Sequence, residues 1–212
     1  MRRAATTLNF PAVVASIRGP ADERVAPQGY HAAVAILLSP SASGATSLTL
    51  LKRAQRLSDP WSGQVGLPGG RHEPGDPSLL HTARRETLEE IGVDLEGIPC
   101  LRSLPAISAR GRGTSLDLLI HPFLFALPAP SGYRVQAAEV EEVRTFPLGL
   151  LFDPDHGEVL ERTTEEGTRK LPAIRLAPDW LLWGLTYRML HQFASLLDRD
   201  LAAGSPDPQI RP

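Results

Sequence analysis

Apolar and polar positions along this chain switch repeatedly between the strand period and the helix period. Tyr30–Leu38 (YHAAVAILL) is a nearly unbroken apolar run of strand length, the pattern of a strand covered on both faces. A Ser/Pro/Gly loop over 39–45 leads to Ser47–Arg53 (SLTLLKR), a second strand that pairs with the first as a hairpin in the simplest arrangement. Gln64–Leu67 reads as a short strand entering the turn Pro68-Gly69-Gly70. A helix is expected over Asp76–Ile91, with Asp76 as N-cap, Pro77 as its first residue and Gly92 left-handed beyond its end. Strands follow at about Cys100–Ser108, Asp117–Leu127 and Glu139–Phe146, and Glu158–Thr163 with Arg169–Arg175 form a hairpin around Glu165-Glu166-Gly167. From Asp179 to Leu201, Leu182, Leu185, Met189, Phe193 and Leu197 recur at three and four, as on an amphipathic helix. Residues 1–29 show no such period, contain Gly19-Pro20 and Pro27-Gln28-Gly29, and read as an N-terminal extension ending in a turn; 204–212 reads as a flexible tail. The domain expected over 30–203 is therefore α/β, a sandwich in which helices cover sheet faces.

Composition narrows what such a domain can do. With 22 basic against 24 acidic residues the formal charge is −2, which offers no footprint for nucleic acid or an anionic membrane. Cys100 is the single cysteine, excluding an intramolecular disulfide and disfavouring a cysteine-based zinc site. No apolar run has the length of a membrane span, so a soluble, cytoplasmic protein is expected. Arg2, Arg3 and Arg18 precede the first acidic residue, Asp22, as in an organelle transit peptide; the segment is only moderately basic and poor in Ser, which favours a plain extension. Arginine outnumbers lysine 20 to 2, a bias expected of a GC-rich genome, which makes any one arginine a weak binding signal.

The segment Arg85-Glu86-Thr87-Leu88-Glu89-Glu90-Ile91-Gly92-Val93 carries the chemistry. On a helix Glu86 and Glu90 lie about 40° apart and Glu89 about 60° to the other side of Glu86, so three carboxylates share an arc of roughly 100°. Leu80, Thr87, Leu88 and Ile91 are expected to face a core. Like charges at these spacings repel, and a divalent cation relieves the repulsion; oxygen-only ligands favour Mg²⁺, Mn²⁺ or Ca²⁺ over zinc. The Pro-Gly-Gly turn upstream lets backbone approach such an ion closely.

Gly70-x5-Asp76-x8-Arg85-Glu86-Thr87-x-Glu89-Glu90-x-Gly92-Val93 resembles the Nudix box. Asp76 stands where Glu is usual and one extra residue separates it from Arg85, a variant similar to that of the coenzyme A diphosphatase branch. The resemblance implies an α/β/α sandwich with a mixed central sheet and a C-terminal amphipathic helix, and hydrolysis of a nucleoside diphosphate linked to another moiety with Mg²⁺ or Mn²⁺ as cofactor. It makes Glu86 and Glu90 side-chain metal ligands and Gly70 a backbone ligand. Glu89 becomes a further ligand or the group that activates water, and Arg85 orients these carboxylates. The late strand Glu139-Val140-Glu141-Glu142-Val143 offers Glu139, Glu141 and Glu142 as alternative bases.

Leu50-Leu51-Lys52-Arg53-Ala54 with Gly63-Gln64-Val65-Gly66-Leu67-Pro68-Gly69-Gly70, and Trp183–Leu190, are similar to segments of the coenzyme A branch, whereas Asp59-Pro60-Trp61-Ser62 replaces its usual Arg- and His-containing stretch. The implied substrate is coenzyme A or its thioesters; the alternatives are ADP-ribose, a nucleotide sugar or a nucleoside triphosphate, or a Nudix-fold binding module without turnover. Arg53, Arg56, Arg110 and Arg112 are candidates for binding substrate phosphates, the last two in a Gly-rich loop. Trp61 is a candidate for stacking on adenine, while Trp183, Tyr187, His31 and His121 are read as packing, and His72 and His81 flank the site without a role. The oligomeric state stays open.

Overall fold

The computed structural model describes residues 8–21, 28–56, 61–110, 117–128, 132–164 and 167–204, with backbone alone at Arg110, Asp117 and Thr164. In chain order its elements begin α1 (Phe10–Ile17), β1 (Tyr30–Pro40), β2 (Thr46–Arg53), β3 (Val65–Gly66), β4 (Gly69–Arg71), α2 (Leu79–Ile91) and β5 (Cys100–Ser103). They continue β6 (Ile107–Arg110), β7 (Asp117–Ala126), β8 (Val140–Pro147), β9 (Gly157–Thr164), β10 (Gly167–Ala177), β11 (Trp180–Trp183) and α3 (Gly184–Ser195).

β1 organises the molecule. It lies parallel to β7 and antiparallel to both β2 and β4, so the central sheet is mixed. Alternate β1 side chains feed two cores: Ala33, Ala35 and Leu37 pack with Leu79, Leu80, Ala83 and Ile91 of α2, while Ala32, Val34, Ile36 and Leu38 pack with α1 and α3. Burial on both faces explains why the run lacks polar alternation. The arrangement is the expected α/β/α sandwich, supplemented by a small antiparallel sheet in the order β11-β10-β9. No helix among the described residues is long and apolar enough to cross a membrane.

Several expectations need correction. The segment before Tyr30 contains α1, whose N-cap Asn9 accepts a hydrogen bond from the Ala12 N–H and whose Val13 and Ile17 are buried. Arg102 then fastens the chain after α1 by donating to the Ile17 and Arg18 carbonyls. The central helix starts at Leu79, capped by Ser78 accepting from the His81 N–H rather than by Asp76. Asp76 is turned inward because the half-buried Arg85 claims its oxygens, as described below. Gly92 does take the left-handed conformation, at φ +70°. Leu88 is 42% exposed and does not join the core. The strand expected over Cys100–Ser108 divides into β5 and β6 around Leu104–Ala106, both pairing with β7. At the C-terminus Trp180–Trp183 is a strand on β10, and the helix begins only at Gly184.

Candidate metal and phosphate site

Gly69 and Gly70 bring backbone against the acidic face of α2. Gly69 has φ +149°, and a Cβ there would come within 2.2 Å of the Ala33 carbonyl oxygen, so glycine alone fits. Its N–H donates to Glu90 Oε2 at 2.8 Å. A Cβ on Gly70 would meet the Glu86 carboxyl carbon at 2.4 Å, which places this backbone directly against that carboxylate.

Glu90 is 2% exposed. Burial pushes its carboxyl up to about 8, opposed by the Gly69 N–H and by Arg53 at 3.9 Å, and reinforced by the charges of Glu86 and Glu139. Burial likewise raises Glu86, partly countered by Arg85, with Glu89 and Glu139 adding to the rise. Burial thus works against the charge on both carboxylates, least compensated at Glu90.

Arg85 lies beside this pair in the opposite condition. Its Nε donates to Asp76 Oδ1 at 2.9 Å and its Nη2 to Asp76 Oδ2 at 3.0 Å, a two-pronged contact. Nη1 reaches Glu86 and Glu89, each at 3.0 Å, and Nη2 also reaches the Arg71 carbonyl. Asp76 further accepts from Thr82 Oγ1 and the Glu73 N–H. Burial works against the Asp76 charge, but the bonds from Arg85, Glu73 and Thr82 outweigh it and hold the carboxyl below the ordinary carboxylate range. Because the Thr82 hydroxyl donates to Asp76, it accepts from His72 Nδ1 at 2.9 Å. Sequence reasoning missed this use of Asp76, Thr82 and His72; the signal available was the motif spacing Asp76-x8-Arg85 itself.

The three late glutamates separate by partner. Lys52 Nζ holds Glu141 at 2.9 Å, and Arg144 holds Glu142. Glu139 instead acts electrostatically on both Glu86 and Glu90 and lies 3.8 Å from Arg56. The Gln136 N–H donates to the Glu90 carbonyl, the Arg134 N–H to the Ile91 carbonyl and the Ala54 N–H to the Glu139 carbonyl, so the segment before β8 is tied to α2 and β2. A Cβ on Gly92 would meet Arg134 Cβ at 2.7 Å, which gives this glycine a second reason to be there.

Glu86, Glu90, Gly70, Arg85, Glu89 and Glu139 therefore converge, with Arg53 and Arg56 on the same rim. Arg110 ends β6, with its backbone alone described, and Arg112 lies outside the described residues, as do Asp59 and Pro60. His31 Nδ1 and His121 Nε2 are 3.0 Å apart within the sheet, and Tyr187 is buried, in keeping with packing roles.

No group of three or more His, Cys, Asp or Glu side chains among the described residues is arranged to hold a metal ion by itself. The donor set still fits a hard divalent cation. Glu86 and Glu90 offer carboxylate oxygens on one helix face, the Gly70 backbone abuts Glu86, and Arg53 comes no nearer than 3.9 Å to the buried Glu90.

Comparison with known proteins adds the family. Residues 29–165 match the NUDIX domain. The chain is 28% identical over 172 residues to the human mitochondrial coenzyme A diphosphatase NUDT8, covering 80% of this chain and 69% of that protein. To the mouse protein of the same name it is 38% identical over 144 residues, covering 68% and 67%. A Schizosaccharomyces pombe protein, C14C4.10c, is 38% identical over 109 residues, half of this chain, and the match spans only a third of that protein. Among solved structures, a MutT/nudix family protein from Enterococcus faecalis superposes with TM-score 0.53 at 19% identity over 84% of this chain and 66% of that one, a likeness of fold.

Proposed function

The chain belongs to the Nudix hydrolase family, and from that premise we propose that it hydrolyses the diphosphate bond of coenzyme A or its thioesters. The products are 3′,5′-ADP and 4′-phosphopantetheine or its acyl form, the cofactor is Mg²⁺ or Mn²⁺, and the reaction takes place in the cytoplasm. The observation that carries the chemistry is the buried, under-compensated Glu90 beside the half-buried Glu86, both pressed against Gly69 and Gly70. Support for the substrate comes from the similarity to coenzyme A diphosphatases.

In this reading Glu86, Glu90 and the Gly70 backbone hold the cation. When bound, it neutralises charge on the diphosphate and makes a nearby water more acidic. Arg85, fixed by Asp76, sets the rotamers of Glu86 and Glu89. Glu139 is the best-placed base: Glu89, Glu141 and Glu142 are engaged within 3.0 Å by Arg85, Lys52 and Arg144, whereas Glu139 has Arg56 only at 3.8 Å and its charge acts on both Glu86 and Glu90. Arg53 and Arg56, on the rim, would receive substrate phosphates.

The test is a panel of coenzyme A, acetyl-coenzyme A, ADP-ribose, a nucleotide sugar and a nucleoside triphosphate, each with Mg²⁺ or Mn²⁺ and products identified by mass. Fastest release of 3′,5′-ADP from coenzyme A or its thioester is expected. Faster turnover of another diphosphate would move specificity to that substrate and direct attention to Asp59–Ser62.

A further inference from the structure

Among the described residues, the small sheet ends in an unpaired edge. β9 pairs with β10 along its whole length, from Gly157 opposite Ile174 to Thr164 opposite Gly167, and occupies the outer position in the order β11-β10-β9. β11 supports only the other end of the hairpin, reaching no further than Ala173. The distal half, Glu161 to Thr163 against Thr168 to Lys170, is therefore a two-stranded ribbon, exposed at Glu161, Thr163 and every described β10 position from Gly167 to Lys170. Two-stranded ribbons without a covering layer are marginal in water. Edge strands that avoid pairing carry Pro, bulges or charged side chains; Gly157–Thr164 (GEVLERTT) has no Pro and no bulge, its charges are of both signs, and its Val159 is 64% exposed.

The edge is also complementary to itself. A two-fold axis normal to the sheet keeps each side chain on its own face, so residues of like parity must oppose one another in antiparallel pairing. With the axis at Leu160, Glu158 of each copy faces Arg162 of the other, and Leu160 faces itself. With the axis at Glu161, that carboxylate would face its own copy. Among the registers centred within β9, only the one on Leu160 sets opposite charges face to face. Glu158 already accepts both prongs of Arg175 at 2.8 and 2.9 Å, leaving further lone pairs on its carboxylate. Arg162 lies over the Trp183 ring at 5.0 Å, held on the same face as Glu158.

We propose that two copies of this chain associate through β9, antiparallel about Leu160, to form one continuous six-stranded sheet. An eight-residue edge with a single exposed aliphatic side chain is a small interface, so the dimer is a weak one that builds with concentration.

Sedimentation velocity on the full chain, from low micromolar to several hundred micromolar, reads the association. A reversible shift from monomer to dimer is expected, and Arg162→Glu should weaken it at least about tenfold by setting like charges opposite one another. In a Cys100→Ser background, Leu160→Cys should cross-link rapidly in a glutathione buffer, because the new thiols meet on the axis. Thr163→Cys, whose counterpart lies at the far end of the pairing, should not. A monomer at every concentration overturns the proposal. So does a dimer indifferent to Arg162→Glu, or cross-linking as fast from position 163 as from position 160. The cross-linking arm keeps the test informative if Arg162→Glu perturbs the hairpin.

Discussion

Two buried carboxylates at opposite ends of α2 are treated in opposite ways. Asp76, just ahead of α2, is saturated: two guanidinium N–H groups, a hydroxyl and a backbone N–H converge on it, and its carboxyl lies below the usual range despite burial. Glu90, within α2, is equally buried but receives one backbone N–H and an arginine at 3.9 Å, and its carboxyl is pushed up to about 8. The first arrangement is complete without a ligand; the second is complete only with an added positive charge. A buried anion left short of partners costs stability, so its presence beside a saturated one marks where a cation belongs.

Breaking the unsaturated side should have the largest effect. Glu90→Gln removes a charge the cation needs, forfeiting several kcal/mol of charge stabilisation in the transition state. Turnover should fall by orders of magnitude with the fold intact; near-normal activity with unchanged Mg²⁺ dependence would refute the ligand assignment. Glu139→Gln comes next, with a loss of about 100-fold or more if it is the base, whereas Glu141→Gln and Glu142→Gln, which break exposed ion pairs, should stay within about twofold. An equal loss at all three would return the base to Glu89. On the saturated side, Asp76→Asn leaves every proposed ligand in place and loosens Arg85, together with the Thr82 and Glu73 bonds. A fall of roughly 10- to 100-fold is expected, the range for partners that orient ligands. The drop should be largely in kcat, because no predicted substrate contact is lost; a change confined to KM would remove Asp76 from the positioning role.

How much of this could be read from the sequence differs between the two carboxylates. Period and punctuation located β1, β2, the central helix and the late hairpin, because apolar runs and Gly or Pro boundaries are local signals. The box placed Glu86, Glu90 and Arg85 together because helical spacing is also local. Asp76 was misread as a helix cap: its real partner, Arg85, is nine residues away, and the local rule that acids cap helices competed with a tertiary ion pair. Leu88 was misassigned because the apolar stripe of α2 is narrower than its composition implies. α1 was overlooked since eight residues give barely two turns of pattern, although Asn9 followed by Phe10-Pro11 is a usable start signal. The sorting of Glu139 from Glu141 and Glu142 depends on Lys52 and Arg144, neither of which periodicity connects to the box.

The smallest expected effect separates the two carboxylates by the sign of their pH dependence, read as thermal stability of metal-free protein in chelator. Asp76 has a lowered folded pKa, so its contribution is present above the ordinary value of 3.8 and disappears as pH falls below it. Glu90 has a raised folded pKa, so the unfolded chain releases its proton first. Its ionisation therefore removes stability progressively as pH rises from 4.5 to about 8, and the loss is constant above that. Glu90→Gln should then raise the melting temperature of metal-free protein by a few degrees at pH 8 and leave it nearly unchanged at pH 4.5, while Asp76→Asn lowers it at both. Mg²⁺ should stabilise the unsubstituted chain at pH 8 and have little effect on Glu90→Gln. If Glu90→Gln instead destabilises the metal-free protein at pH 8, the carboxylate is already satisfied by Gly69 and Arg53, and the contrast between the two sides of the site fails.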